Sequence, residues 1–191
     1  MTIAIEPLTP ARWGDFEAVF AARGCSIARG CWCMAYRESG RTQADPGCSI
    51  ADSRKRRMRA LVDAGPPPGL LAYVDGQPAG WVTLGPRGDF ARLLRSPVMK
   101  PVDAQPVWSV VCFVVPKAWR GRGIAHALLH GAAAYARERG AIWLEAYPVD
   151  KPQRGADDWL WHGPLSMYVK AGFEEVARRK PTRPVVRLAL R

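Results

Sequence analysis

Val107-Trp108-Ser109-Val110-Val111-Cys112-Phe113-Val114-Val115 runs through Pro116-Lys117-Ala118-Trp119 into Arg120-Gly121-Arg122-Gly123-Ile124-Ala125. The first nine residues are apolar on both faces apart from Ser109, the pattern of a strand covered on both sides. Ile124, Leu128, Leu129, Ala132 and Ala136 then recur at helical spacing until Gly140 stops the helix. Ala141 to Ala146 reads as a second strand, so residues 107–146 form a strand, helix, strand unit whose two strands are parallel. Glycines at 121 and 123 strip side chains from the bend before the helix. Free N–H groups there, at the positive end of the helix dipole, attract an anion, and Arg120 and Arg122 add full charges. The bend lacks the Gly-Lys-Ser/Thr of a P-loop and the G-x-G-x-x-G of a dinucleotide fold, so nucleotide hydrolysis and hydride transfer lack support. As a bare pattern it also suits a merely structural turn.

Working outward, Thr2 to Leu8 is a strand, and Thr9-Pro10 opens a helix near Ala11 to Ala22. A second helix runs from Ser49 to about Asp63, opened by Ser49-x-x-Asp52 and closed by Gly65 and Pro66-Pro67-Pro68. Between them Gly30 to Arg37 is too apolar for an ordinary loop. Leu70 to Val74 and Ala79 to Leu84 flank Asp75-Gly76 as a hairpin. Asp89 to Gln105 is a basic connection with one helical turn at Phe90 to Leu94. Pro164 to Ala171 is a short helix capped by Gly172, and Phe173 to Ala177 and Val185 to Leu190 are closing strands. No internal repeat or low-complexity segment interrupts the chain.

With 191 residues, 48% hydrophobic and 24% charged, one compact globular domain over residues 1–191 is expected. Twenty-eight Lys and Arg against 17 Asp and Glu give a formal charge of +11, which favours anionic partners. The longest apolar run, Val110 to Val115, falls far short of the roughly 20 residues of a membrane span, and Met1 to Pro10 carries no cationic segment followed by an apolar one. A cytoplasmic protein without membrane contact is the expectation. Cys25, Cys31, Cys33, Cys48 and Cys112 are an odd set, which argues for reduced thiols. Their spacings do not match the paired cysteines of a structural zinc site, so no metal is expected.

The run from Cys112 to Leu129 resembles the acyl-CoA-binding motif of the GNAT superfamily of N-acyltransferases: Arg or Gln, any two residues, Gly, any residue, then Gly or Ala. Arg120, Gly123 and Ala125 occupy its positions. Tyr168-Val169-Lys170-Ala171-Gly172-Phe173 is similar to the family's Tyr-x-x-x-Gly-Phe, in the right order and at a usual separation. The match covers about half the chain firmly and the order of elements throughout. It implies an α/β (α+β) fold: a mixed, mostly antiparallel twisted sheet of about seven strands, a central parallel pair splayed to hold acyl-CoA, and helices on both faces. The acyl-CoA core would span about 107–177 and the acceptor-side elements about 1–65. The resemblance further implies that Phe113, Val114 and Val115 pair with the pantetheine arm, and that Arg120, Gly121, Arg122, Gly123, Ile124 and Ala125 bind the pyrophosphate of acetyl-CoA. The asparagine with which many relatives hold the pantetheine is missing near Trp161.

Amine acetylation needs a neutral amine, a stabilised oxyanion and a proton for the departing thiolate. The resemblance makes Tyr168 the candidate acid, also placed against the cofactor, with core packing as the alternative, and a central-strand N–H, that of Val114, the oxyanion donor. No carboxylate stands at Val107 to Ser109, where some relatives carry a glutamate. Glu145 is the only acid of its strand and is the candidate base, weighed against an ion-paired strand end. His162 is a second candidate for proton relay, and His126 and His130 read as a surface pair. In the family the acceptor wall comes from the first helices, here Trp32, Cys33 and Tyr36, with Tyr147 opening an aromatic and acidic connection that runs to Trp161. Simple packing of that wall on the sheet is the competing reading.

The expectation is thus an acetyl-CoA-dependent N-acetyltransferase passing acetyl to a primary amine of a small molecule or protein by direct attack in a ternary complex. A non-catalytic acyl-CoA-binding sensor is the alternative, and a homodimer is left open. Arg54-Lys55-Arg56-Arg57 with Arg59, and Arg178, Arg179, Lys180, Arg183, Arg187 and Arg191, are basic runs that raise nucleic-acid binding. The elements of common nucleic-acid-binding modules are absent, so that reading ranks last.

Overall fold

The computed structural model describes residues 1–39, 43–151 and 161–190. In chain order the elements are β1 (Ile3–Pro7), α1 (Trp13–Ala21), α2 (Ser26–Cys31), α3 (Ile50–Ala64), β2 (Gly69–Val74), β3 (Gln77–Pro86), α4 (Ala91–Arg95), β4 (Trp108–Val114), α5 (Ile124–Glu138), β5 (Trp143–Ala146), α6 (Leu165–Lys170), β6 (Glu174–Lys180) and β7 (Arg183–Ala189). The strands form one sheet in the order β1-β2-β3-β4-β5-β7-β6. Only β4 and β5 are parallel, as the crossover through α5 requires. Among the described residues no helix is long and apolar enough to cross a membrane.

Local chemistry sets the boundaries. Ser49 caps α3, its hydroxyl accepting from the Asp52 N–H at 3.1 Å. Asp75 and Gly76 both take positive φ, the conformation a two-residue hairpin turn needs to match the twist of β2 and β3. One face of the sheet packs on α5, with Leu70, Ala72, Val82 and Val110 against Leu128, Leu129 and Ala132. Gly131 admits close approach there: a Cβ would lie 2.5 Å from Ile5 Cγ2. The other face carries Leu71, Trp81 and Val111 against Phe16, Phe20, Trp32, Met58 and Val62. Phe16 meets Trp81 edge-on at 4.8 Å and Phe20 stacks on Trp32 at 4.9 Å.

The segment between the first two long helices holds the short helix α2, which helical periodicity did not reveal. Behind it Trp32 and Cys33 take left-handed φ of 46° and 54°. That reversal turns Trp32 into the aromatic cluster, sets Cys33 Sγ 3.2 Å from the Trp81 indole nitrogen, and leads the chain to Tyr36. The basic runs are largely engaged within the molecule. Arg54 and Arg57 hold Glu38, Arg56 and Arg57 hold Asp45, and Arg178 holds Glu175 and Asp150. Arg179 is spent on main-chain carbonyls of residues 98, 100 and 101; Arg191 lies outside the described residues.

Candidate active site

Strands β4 and β5 are in register for only three pairs, Trp108 with Leu144, Ser109 with Glu145 and Val110 with Ala146. Beyond Val110 the strands part. A bulge at Val111, between the pairs Thr83–Cys112 and Leu84–Val110, bends β4 at the point of divergence. The Phe113 N–H faces the gap and donates to the Trp161 carbonyl at 2.6 Å. Along an extended strand successive N–H groups alternate, so the Val114 N–H points the other way, to Trp81 of β3. The Val114 amide therefore belongs to the ladder and cannot meet an oxyanion in the gap; the groups turned to that side are Phe113 C=O and Val115 N–H.

The gap opens into a cavity of about 1170 Å³. That exceeds the usual range for a single small ligand and leaves room for two substrates. It is lined by Trp119, Arg120, Gly121, Gly123, Ile124 and Ala125 of the glycine bend, joined by His126 and Lys170; by Cys112 to Val115 along the strand; and by Cys25, Ile27, Ala28, Cys31, Cys33, Tyr36 and Arg92 from α2, the segment behind it and α4. Gly121 and Gly123 have φ of 74° and 79°, and a Cβ on either would meet nothing within 4 Å. No side chain caps the N-terminus of α5. Unsatisfied N–H groups, an open approach and basic neighbours fit a pyrophosphate. Arg120 contributes in an unexpected way: its Nε donates to Val115 O at 3.1 Å and its Nη2 to Gly24 O at 2.8 Å, tying the bend to the link between α1 and α2. Arg122 lies over the Trp119 ring and does not line the cavity.

The structure brings together Phe113, Val114, Val115, Arg120, Gly121, Gly123, Ile124, Ala125, Cys33 and Tyr36 on one cavity wall. It sets others apart. Trp32 is in the aromatic cluster, with Lys55 over its ring. Tyr147 is buried, its hydroxyl donating to Glu145 Oε1 at 2.7 Å and lying 3.0 Å from Ser109 Oγ. Glu145, read as a base facing the cleft, is instead fully buried on the face opposite Leu144 and Ala146. It accepts from Arg187 Nε at 2.8 Å and has Arg87 at 3.5 Å, because Ser109, Glu145 and Arg187 are neighbours across three strands. Tyr168 is buried beside Phe173 and donates its hydroxyl to the His162 carbonyl at 2.7 Å. Burial drives its pKa far above the ordinary phenol value, and it is not on the cavity wall.

Sequence reading did not connect Tyr36 with His162. Their hydroxyl oxygen and Nε2 are 2.6 Å apart, across 126 residues of chain. His162 is 1% exposed, and its Nδ1 has no hydrogen-bond partner. Burial, with the Arg183 charge adding to it, lowers the His162 pKa to about 3, so the ring is neutral at physiological pH. Burial pushes the Tyr36 phenol up. Burial likewise pushes the Cys31 thiol to about 11 and the Cys33 thiol well above its usual value, which leaves neither as a ready thiolate. His126 and His130 sit with their Nε2 atoms 3.0 Å apart, and the described residues contain no cluster of three or more metal-ligating side chains. Of the connection from Tyr147 to Trp161, residues 152–160 lie outside the described residues.

A stability consequence follows from His162. An unfolded histidine takes its proton near pH 6.5, the folded one only near 3, so the unfolded chain binds more protons between those values. The contribution is whole above pH 6.5 and drains as pH falls, by about 2 kcal/mol at pH 5. Asp45, Asp103 and Glu175, held low by Arg57, Arg187 and Arg178, act mainly below about pH 5. Denaturant unfolding at pH 7 and pH 5 is expected to show this loss in the parent and much less of it in His162→Gln; equal losses would refute the assignment.

Residues 34–160 match the model of the acetyltransferase (GNAT) family, more than half of the chain. The chain belongs to that family. No curated protein sequence matches it. Among solved structures it is similar to a mosquito arylalkylamine N-acetyltransferase-like protein 5b, with 12% identity over 98% of this chain and 100% of that one and a TM-score of 0.57. It is also similar to the GNAT domain of S. lividans PAT, with 20% identity, coverage of 99% and 91% and a TM-score of 0.56. A GNAT-family acetyltransferase from Desulfovibrio desulfuricans aligns over the whole of both chains with 17% identity and a TM-score of 0.54. At these identities the likeness establishes the fold: the mixed seven-stranded sheet with one parallel pair.

Proposed function

We propose that this chain is an N-acetyltransferase that moves acetyl from acetyl-CoA directly to a primary amine of a small molecule or protein, with both substrates bound at once. The observation that carries the reading is the continuity of one cavity. It begins at the uncapped N-terminus of α5, follows the edge of β4 where β5 diverges, and ends at Tyr36 and Arg92. The first part suits a diphosphate, the strand edge offers Phe113 C=O and Val115 N–H to an amide-bearing arm, and the last part receives a second molecule. Such an arrangement supports direct attack: the amine is held within reach of the thioester carbonyl.

The chain's own residues supply binding and orientation. Main-chain N–H groups of the glycine bend neutralise phosphate charge, and Lys170 and His126 flank it. Release of free thiol from acetyl-CoA, measured across a panel of alkylamines, arylalkylamines, amino acids and peptides, tests the reading. Thiol released in step with acetylated amine is the expected result. Tight coenzyme A binding without thiol release on any acceptor would overturn it in favour of a non-catalytic sensor.

A further inference from the structure

We propose that the hydroxyl of Tyr36 is the proton donor to the departing sulfur, its hydrogen turned into the cavity because His162 Nε2–H donates to its oxygen. The inference rests on the acetyltransferase reading and concerns which hydroxyl serves it. Tyr168, where the motif leads one to look, is absent from the cavity wall, and its hydroxyl is committed to His162 O at 2.7 Å. Tyr36 is on the wall, with Cys112 and Phe113 of the diverging strand edge on the same wall.

The direction of the Tyr36 hydrogen follows from the tautomer of His162. Only one ring nitrogen of a neutral imidazole carries hydrogen. Were it Nδ1, a buried N–H would be left without an acceptor; were it Nε2, the orphan at Nδ1 is a lone pair, which costs less to bury unpaired. Nε2–H therefore donates to the Tyr36 oxygen across 2.6 Å. With that N–H filling an acceptor position of the phenol oxygen, the phenol's own hydrogen turns away from His162 and is free to be given to the cavity. The supporting frame is fixed on both sides. Trp161 O takes the Phe113 N–H at 2.6 Å, and His162 O takes the Tyr168 hydroxyl. Tyr168 is thus a positioning residue that holds His162 under Tyr36.

The step balances. The amine lone pair forms the N–C bond to the thioester carbon, the C–S bond breaks with its electron pair on sulfur, and the Tyr36 proton passes to that sulfur. The phenolate, stabilised by the His162 N–H, then takes the proton the nitrogen must lose. Amide and thiol result, and Tyr36 ends as it began.

Histidine-selective 15N NMR on the whole protein reads the tautomer without turnover. His162 is expected to stay neutral at pH 5, with hydrogen on Nε2. In kinetics, Tyr36→Phe is expected to lower kcat about a hundredfold with coenzyme A affinity unchanged. His162→Gln, which keeps an N–H at the Nε2 position, is expected to stay within about tenfold of the parent, while His162→Leu falls with Tyr36→Phe. Hydrogen on Nδ1, or full turnover by folded Tyr36→Phe, overturns the proposal. An Nε2–H tautomer in a protein that acetylates nothing counts against the acetyltransferase reading and not against this geometry.

Discussion

Gly123→Glu is expected to leave the protein folded and to lower its affinity for coenzyme A at least a hundredfold. Gly123 has φ of 79°, and a side chain there costs about 1 kcal/mol of backbone strain, small against a typical stability of roughly 5–15 kcal/mol. Its Cβ would meet no atom within 4 Å, so nothing obstructs the substitution. The new carboxylate would lie at the positive end of α5, where it satisfies the same N–H groups that a phosphate needs and repels the phosphate itself. At about 4 Å in a surface site that repulsion is roughly 4 kcal/mol before salt screening. Gly123→Ala carries the same strain without the charge and is expected to bind within about tenfold of the parent. Calorimetric titration with coenzyme A separates the two; undiminished binding by the glutamate variant would remove the bend from the phosphate site.

The second large effect is on stability. Glu145→Leu is expected to destabilise the protein by about 3–5 kcal/mol, because it strands Arg187 and Arg87 in the interior with one counter-charge removed. Arg187 keeps Asp103 at 2.6 Å, which places the loss toward the lower end. Denaturant unfolding measures it, and thiol release by the folded fraction tests the role. An undiminished rate is expected from a residue that serves only to join β5 to β7; unchanged stability with abolished turnover would restore Glu145 as a base.

What could be read from the chain alone was the part governed by neighbours in sequence. Val107 to Gly140 carries its own strand, bend and helix in local periodicity and glycine placement, and β4 and α5 lie where that pattern sets them. The Ser49 cap and the Asp75-Gly76 turn are equally local. Helix α2 escaped notice because six residues, with Gly30 among them, hold too few turns to display a period. Polarity in the middle of β5 was visible, but the direction of Glu145 depends on Arg187, 42 residues away. The meeting of Tyr36 with His162 required the reversal at Trp32 and Cys33 and the anchoring of Trp161 on β4, and no spacing rule spans 126 residues. Tyr168 sat where its motif predicts, yet the use of its hydroxyl was settled by the loop folded above it.

The strut that Arg120 makes to Gly24 and Val115 changes what kind of receptor the bend is. With Nε and Nη2 of that guanidinium occupied by carbonyls, direct hydrogen bonds to an anion fall chiefly to peptide amides, whose hydrogens do not ionise in any pH range where the protein stays folded, while the guanidinium lends only its charge. The grip of such a receptor is set by chain shape, so it tolerates exchange of flanking side chains far better than it tolerates a change of path.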